Sequence, residues 1–238
     1  SRGIEETVPL DIVSVPGGPL VTAIGDYDGS SFDDIHKSTA LHNPRIGTTH
    51  SLGYAPLNGS FLRVGRVTDY STGTGIDHNK MYFSEDNAKT WTETPEPKGA
   101  HGFVALSADA ASWLHRMDNS STVYYSTDQG KNWSAVTGLD AQSQYAKIVP
   151  DPVNPNVFYV LDQQGKLKKS TDQGKTFAVV GSVQNDAQGL YQASNGYIRT
   201  VPNREGHIWA PLDQAQSWAA NGKFSTNGLA LSEDGGAT

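Results

Sequence analysis

The acidic side chains are the first candidates for chemistry. Asp26 stands in Gly25-Asp26-Tyr27-Asp28-Gly29, and the pair Asp33-Asp34 closes the same stretch. A carboxylic acid held in a partly desolvated cleft can protonate a departing oxygen while a second carboxylate activates water from the opposite side. Taken alone, an Asp in a glycine-flanked turn is first of all a turn former, because its short side chain bonds nearby backbone N–H groups. Asp28 is read that way, as a turn cap pointing to solvent, with like-charge repulsion against Asp26 as the alternative. Asp33 and Asp34 are adjacent, so on a strand they face opposite ways and are assigned a structural role.

Other reactive sets are thin. His36, His42, His50, His78, His101, His115 and His207 show no metal-ligand spacing, and no zinc site is expected. The chain has no cysteine, glycine-rich phosphate loop or nucleophile elbow, and no cofactor is expected. Among the aromatics, Tyr70 and Trp218 fall in long loops and are candidates for stacking against a bound ligand. Trp113 and Trp209 fall within strands and are read as core.

The elements that position these residues are repeated. Ser84-Glu85-Asp86-Asn87-Ala88-Lys89-Thr90-Trp91 returns as Ser126 to Trp133 and as Ser170 to Phe177, and a fourth copy runs from Ser232 to Thr238. The leading serines lie 42, 44 and 62 residues apart. Spacing in the low forties is that of a four-stranded propeller blade. Each copy reads as a hairpin turn: Asp caps backbone N–H groups, Gly takes positive φ, and the aromatic anchors the returning strand. It resembles the Asp-box of bacterial and fungal propellers.

Four short strand patterns precede and follow each box. One unit holds Phe103–Leu106, Ser112–His115, Thr122–Tyr125 and Trp133–Val136, and the next holds Ala146–Val149, Val157–Val160, Leu167–Ser170 and Phe177–Val180. Before the boxes, Thr7–Val13 and Leu20–Ile24 read as strands one and two of an earlier unit. The boxes join strands three and four, so ligand-facing residues are sought at the other end. The two-to-three loops there are placed at about 26–31, 67–79, 117–122, 162–165 and 212–227. Asp26 lies in the first, Tyr70 in the second and Trp218 in the last.

Several motifs in order carry a family resemblance. Gly3-Ile4-Glu5-Glu6-Thr7, Gly25 to Ile35, Gly47-Thr48-Thr49 and Val201-Pro202-Asn203-Arg204-Glu205-Gly206 together resemble the second half of glycoside hydrolase family 74. That resemblance implies a xyloglucan-active glycosidase built from two facing seven-bladed propellers, each supplying one Asp to an inverting hydrolysis. The family segment typically reads G-D-I-G-G-F-x-H-D-D-L, and Gly25 to Ile35 matches it without a gap. By that match Asp26 is the general acid. Tyr27 stands for the usual Ile, Asp28 for a Gly, and Ser30-Ser31-Phe32 for the aromatic-rich continuation, which bears on substrate detail more than on reaction class. The implied partners are a polysaccharide, xyloglucan or a related β-glucan, and an N-terminal propeller of the same protein or another chain. The alternative is a propeller that binds a glycan or a protein without hydrolysis.

Composition narrows the rest. With 18 Lys and Arg against 25 Asp and Glu, the net charge is −7, and no basic tract offers a phosphate-binding surface, so nucleic acid is not an expected partner. No apolar stretch approaches the roughly 20 residues of a membrane span. The seven arginines are scattered, unlike a sialidase triad, and the cysteine-rich modules of a sorting receptor are missing. The sequons at Asn58, Asn119 and Asn132 permit N-glycosylation, and a polysaccharide substrate implies a secreted, extracellular protein. The expectation is an all-β chain of about five blades over residues 1–238, incomplete at both ends, with a Trp or Phe due after Thr238.

Overall fold

The structure is a computed structural model, and it describes residues 8–71, 73–95, 101–118, 120–144, 146–183, 198–212 and 228–238. The chain is all-β and of the β-propeller type. Five antiparallel sheets follow one another along the sequence. The first joins β1 (Val8–Ser14), β2 (Leu20–Gly25) and β3 (Ser31–Phe32); the second joins β4 (Thr48–Ala55), β5 (Ser60–Asp69), β6 (Ile76–Ser84) and β7 (Thr92–Glu93). The third contains β8 (Gly102–Leu106), β9 (Trp113–Met117), β10 (Val123–Ser126) and β11 (Ser134–Ala135). The fourth contains β12 (Val149–Pro150), β13 (Phe158–Leu161), β14 (Lys166–Ser170) and β15 (Ala178–Ser182), and the fifth β16 (Arg199–Thr200), β17 (Ile208–Leu212) and β18 (Gly228–Ser232). A 3-10 turn, Ala141–Ser143, is capped by Asp140, whose side chain accepts from the Gln142 N–H.

Contacts divide the chain into two compact units, one comprising Ser1–Asp118 with Tyr124–Ser134, the other Asn119–Val123 with Ala135–Thr238. In the first unit the core lies between consecutive sheets. Val21 and Ala23 of β2 pack with Leu52, Phe61 and Tyr82 of the second sheet and with Trp91. Leu62, Val64, Met81 and Phe83 pack in turn against Val104, Leu106 and Trp113 of the third. Second strands are therefore buried on both faces: Ser60 to Gly65 on β5 and Trp113 to Arg116 on β9 are covered without alternation, Arg63, His115 and Arg116 included. Trp113 is core as its strand position predicts, and its truncation to Ala would cost about 3–5 kcal/mol.

The second unit repeats this layering, with Val149, Tyr159, Leu161 and Leu167 against Ile198, Ile208 and Ala210. Here one expectation fails. Trp209 is 41% exposed, because Ile208 and Ala210 take the core side of β17 and a period of two turns Trp209 outward. It pairs across the sheet with the exposed Leu231.

The four repeated turns share one hydrogen-bond set. Ser126 donates to Asp128 at 2.8 Å and accepts from the Gly130 N–H at 2.9 Å, while Asp128 accepts from the backbone and side chain of Asn132. Ser84–Asp86–Ala88, Ser170–Asp172–Gly174 and Ser232–Asp234–Gly236 repeat it. Two successive left-handed residues close each turn, Gln129 with Gly130 for example. Trp91 and Phe177 are buried as anchors.

The expected loop 67–79 is mostly strand. β5 and β6 stay paired through Val67–His78, Thr68–Asp77 and Asp69–Ile76, forming a two-stranded ribbon whose turn begins at Tyr70. Threonine and the Thr68 Oγ1–Asp77 bond of 2.6 Å support pairing where composition had suggested a loop.

Candidate active site

Asp26 sits at the tip of the β2–β3 hairpin, at the sheet end opposite the repeated turn of its neighbour β6–β7. Its φ is +67°, and Asp28 follows at +75° and Gly29 at +127°. Left-handed backbone costs a non-glycine residue about 1–2 kcal/mol, so two such residues in three mark a strained tip that its surroundings must hold. Thr48 at the head of β4 accepts from the Asp26 N–H at 3.3 Å. Among the described residues no group donates to the Asp26 carboxylate, which is exposed beside Tyr27. The carboxylate is free to meet a ligand.

Asp28 is not a solvent-facing cap. It is 0% exposed and accepts from the Ile46 N–H at 2.8 Å, from Arg63 Nη1 at 2.8 Å and from the Thr49 hydroxyl. The reason is tertiary: Arg63, on the buried stretch of β5, demands a counter-ion, and the left-handed bend at Asp28 turns its side chain inward to supply one. Arg63 Nη2 also donates to the Pro44 carbonyl, and the guanidinium lies over the Tyr82 and Trp91 rings at 4.8 and 4.7 Å. Burial pulls the Arg63 guanidinium down from its ordinary value and the Asp28 carboxylate opposes that. His42 meets Trp91 edge-on and donates through Nε2 to the Thr22 carbonyl at 3.1 Å; burial, then Arg63, lower its pKa to about 4, so it is neutral at pH 7.

The strand ends beside Asp26 continue as a polar row. Thr48 pairs with Arg66, and Arg66 with Asn79. Asn79 Oδ1 accepts from the His101 N–H at 2.8 Å, and the His101 carbonyl from the Asp118 N–H at 2.7 Å. Arg66 pairs with Asp77 at 2.9 Å, and the His101 ring lies 3.5 Å from Asp118. His50 is the extra residue of a bulge between Thr49 and Ser51, and its ring stacks on His101 with centroids 3.8 Å apart. Tyr70, 71% exposed, tops the ribbon of the same sheet.

Sequence reasoning missed Arg63, His50 and His101. The available signal for the bulge was Gly65 opposite Thr49, where a Cβ would come within 2.1 Å of the Thr48 carbonyl. Asp33 and Asp34 do not lie on a strand as expected, because β3 ends at Phe32; in the bend that follows, the Asp34 side chain accepts from the His36 N–H and pairs with Lys37. Trp218 lies outside the described residues. Among the described residues no three His, Asp or Glu side chains converge as metal ligands. In the second unit, considered by itself, the expected loop 162–165 carries the buried Asp162, 3.5 Å from Lys168, whose ammonium also meets Asp140 at 2.9 Å and Ser143 at 3.1 Å.

Comparison with known proteins adds a relation the geometry alone does not give. A family profile described as sortilin, neurotensin receptor 3, matches residues 121–238, the stretch that holds three of the four repeated turns. A xyloglucanase of Paenibacillus sp is 35% identical over 216 residues, covering 88% of this chain and 20% of that protein. The xyloglucanase Xgh74A of Acetivibrio thermocellus is 34% identical over 215 residues, covering 88% and 24%. The solved structure of the Niastella koreensis GH74 enzyme superposes with a TM-score of 0.77 at 29% identity, over 98% of this chain and 30% of that one. The chain thus spans about a fifth to a quarter of the length of these curated relatives.

Proposed function

Because the chain is homologous over nearly nine-tenths of its length to the xyloglucanases of glycoside hydrolase family 74, we propose that it is part of a hydrolase acting on the β-1,4-glucan backbone of xyloglucan. In this reading Asp26 is the general acid. It gives its proton to the glycosidic oxygen as the bond from that oxygen to the anomeric carbon breaks. A base supplied by an N-terminal propeller of the same protein, or by another chain, takes a proton from water, whose oxygen attacks the anomeric carbon from the other face. The products are an inverted hemiacetal and a new hydroxyl, and the two carboxyl groups stand roughly 6.5–9.5 Å apart to admit that water.

The observation that carries the reading is the exposed Asp26 carboxylate, free of hydrogen bonds among the described residues, on a strained and firmly held tip. Acid function requires that something cover the tip and exclude water, since a proton donor must remain protonated until the substrate arrives. An opposing propeller would do this. Tyr70, and Trp218 beyond the described residues, are the proposed stacking platforms for glucose rings. A polymeric wall glycan as substrate places the protein outside the cell.

The test is Asp26→Asn in the full-length protein, with release of oligosaccharides from xyloglucan as the readout. Loss of a general acid should lower the rate at least about 100-fold. Undiminished release overturns the assignment. If the unaltered protein binds xyloglucan calorimetrically and releases nothing, it is a binding propeller instead.

A further inference from the structure

Granting Asp26 the proton-donor role proposed above, we propose that Asp28 and Arg63 are its positioning residues, a buried ion pair that fixes the hairpin tip so that the Asp26 carboxylate keeps one direction. Backbone bonds close the turn, from the Tyr27 N–H to the Gly25 carbonyl at 2.8 Å, from the Gly29 N–H to the Tyr27 carbonyl at 2.9 Å and from the His42 N–H to the Gly29 carbonyl at 2.9 Å, but none of them reaches the Asp26 side chain. Asp26 itself is tied through its N–H to Thr48, at 3.3 Å, and its side chain has no partner among the described residues. Asp28, two residues on, ties the turn to the following segments through its backbone and its side chain together. Its N–H donates to the Gly47 carbonyl at 3.1 Å, its carbonyl accepts from Ile24 at 3.1 Å, and its carboxylate takes Ile46, Thr49 and Arg63.

The pair also joins two segments that are distant in sequence. Arg63 reaches Pro44 with one nitrogen and Asp28 with the other, so residues 44–49 and the tip are gripped by a single rigid fork. Tyr82 and Trp91 both lie against that fork, and Arg63 Nε has no hydrogen-bond partner among the described residues. A buried guanidinium that gives up a hydrogen bond to hold this pose is arranged for direction. A leucine in the same volume would pack more cheaply, yet would leave the left-handed Asp28 unsupported. The titratable and charged groups around the pair are His42, neutral at pH 7, and Tyr82, with Arg66 and Asp77 at the adjoining strand ends.

The experiment uses the full-length protein with xyloglucan. Asp28→Asn keeps the side-chain shape, removes the negative charge and leaves the Arg63 charge uncompensated. The expected result is a kcat lower by about 10- to 100-fold with KM within about twofold, since a shift of an ångström at the donor costs on that order. The alkaline limb of the pH–kcat profile should move to lower pH by about half a unit or more, because an unbalanced cation nearby favours loss of the acid's proton. In the double variant Asp28→Asn with Arg63→Gln the limb should return. Thr49→Val, which deletes one donor to Asp28 at constant size, should lower kcat by about 3- to 10-fold with KM unchanged, and it decides the matter if Asp28→Asn does not fold.

A kcat within twofold of the parent in Asp28→Asn or, where that variant is unfolded, in Thr49→Val overturns the proposal. So does a kcat loss in Asp28→Asn that tracks the folded fraction with an unmoved alkaline limb, which is what a purely structural pair would give. Persistent hydrolysis by Asp26→Asn would overturn the proton-donor reading instead, so the two failures are told apart.

Discussion

The imidazole of His50 lies on that of His101 with ring centroids 3.8 Å apart and planes 26° from parallel. Facing the pair are Arg66, Asp77 and Asp118, and His50 Nε2 is buried with no hydrogen-bond partner among the described residues. Two rings so placed cannot both carry a proton without repulsion in a poorly solvated space.

Acid should therefore weaken the first unit well above the range where carboxylates titrate. Burial holds His42, His50 and His115 at about 4 and lowers His101, all below the usual value near 6.5. Between about 6.5 and 4 the unfolded chain binds more protons than the folded one, so the stability these groups contribute is complete above 6.5 and drains as pH falls toward 4. Thermal melts at pH 7.5, 6, 5 and 4.5 should show a midpoint falling by at least about 2–4 °C, the equivalent of 1 kcal/mol at this size. A flat midpoint down to pH 4.5 would mean that the imidazoles are protonated in place.

The repeated turns should respond in the opposite half of the acid range and at the hydroxyl rather than the backbone. Hydrogen bonds from Asn132 and Ser126 lower Asp128 from 3.8 to about 2, so its contribution is complete above 3.8 and drains as pH falls from there toward 2. Ser126→Ala strands the buried Gly130 N–H and should lower stability by about 1–3 kcal/mol in urea titration. Because this turn lies away from the Asp26 tip, turnover per folded molecule should not change.

Gly29→Ala should disable the tip without disturbing the blades. Its φ of +127° is one that side chains avoid, and a Cβ there would come within 2.0 Å of the Thr22 carbonyl. The strand pair must open, at a cost of about 3 kcal/mol or more. In the full-length protein, hydrolysis should drop with kcat, while circular dichroism retains its β signature.

Tyr70→Ala should separate binding from chemistry. Its ring stands on a ribbon turn and contributes little to the core, so stability should stay within about 0.5 kcal/mol. Loss of one stacking contact of about 1 kcal/mol should raise KM about 3- to 10-fold and leave kcat in place. An unchanged KM would remove Tyr70 from the ligand surface.

The blades were legible in the sequence because their signals are local. A serine, an aspartate, a left-handed residue and an aromatic at fixed offsets specify each turn, and strand alternation fills the space between. Asp26 was legible as the tip of a hairpin for the same reason. What escaped was set by pairing across distance. Asp28 and Arg63 are 35 residues apart in the chain, and only the fold shows that the guanidinium needs that carboxylate. His50 of β4 and His101, just before β8, meet through a bulge whose signal, Gly65, lies on the pairing strand and not beside either histidine. Trp209 was misread because strand membership does not say which of two faces a residue takes.

The grip of residues 44–49 on the tip at Asp26–Asp28 has an evolutionary consequence. Blades repeat, and repeated units invite duplication, deletion and shuffling during descent. A cut between the first and second sheets would part the carboxylate from Thr48, Thr49 and Arg63, all of which belong to the second. The heritable cassette for the tip and its supports is therefore a pair of blades, and recombination that respects single-blade borders should yield folded chains whose tip is no longer held.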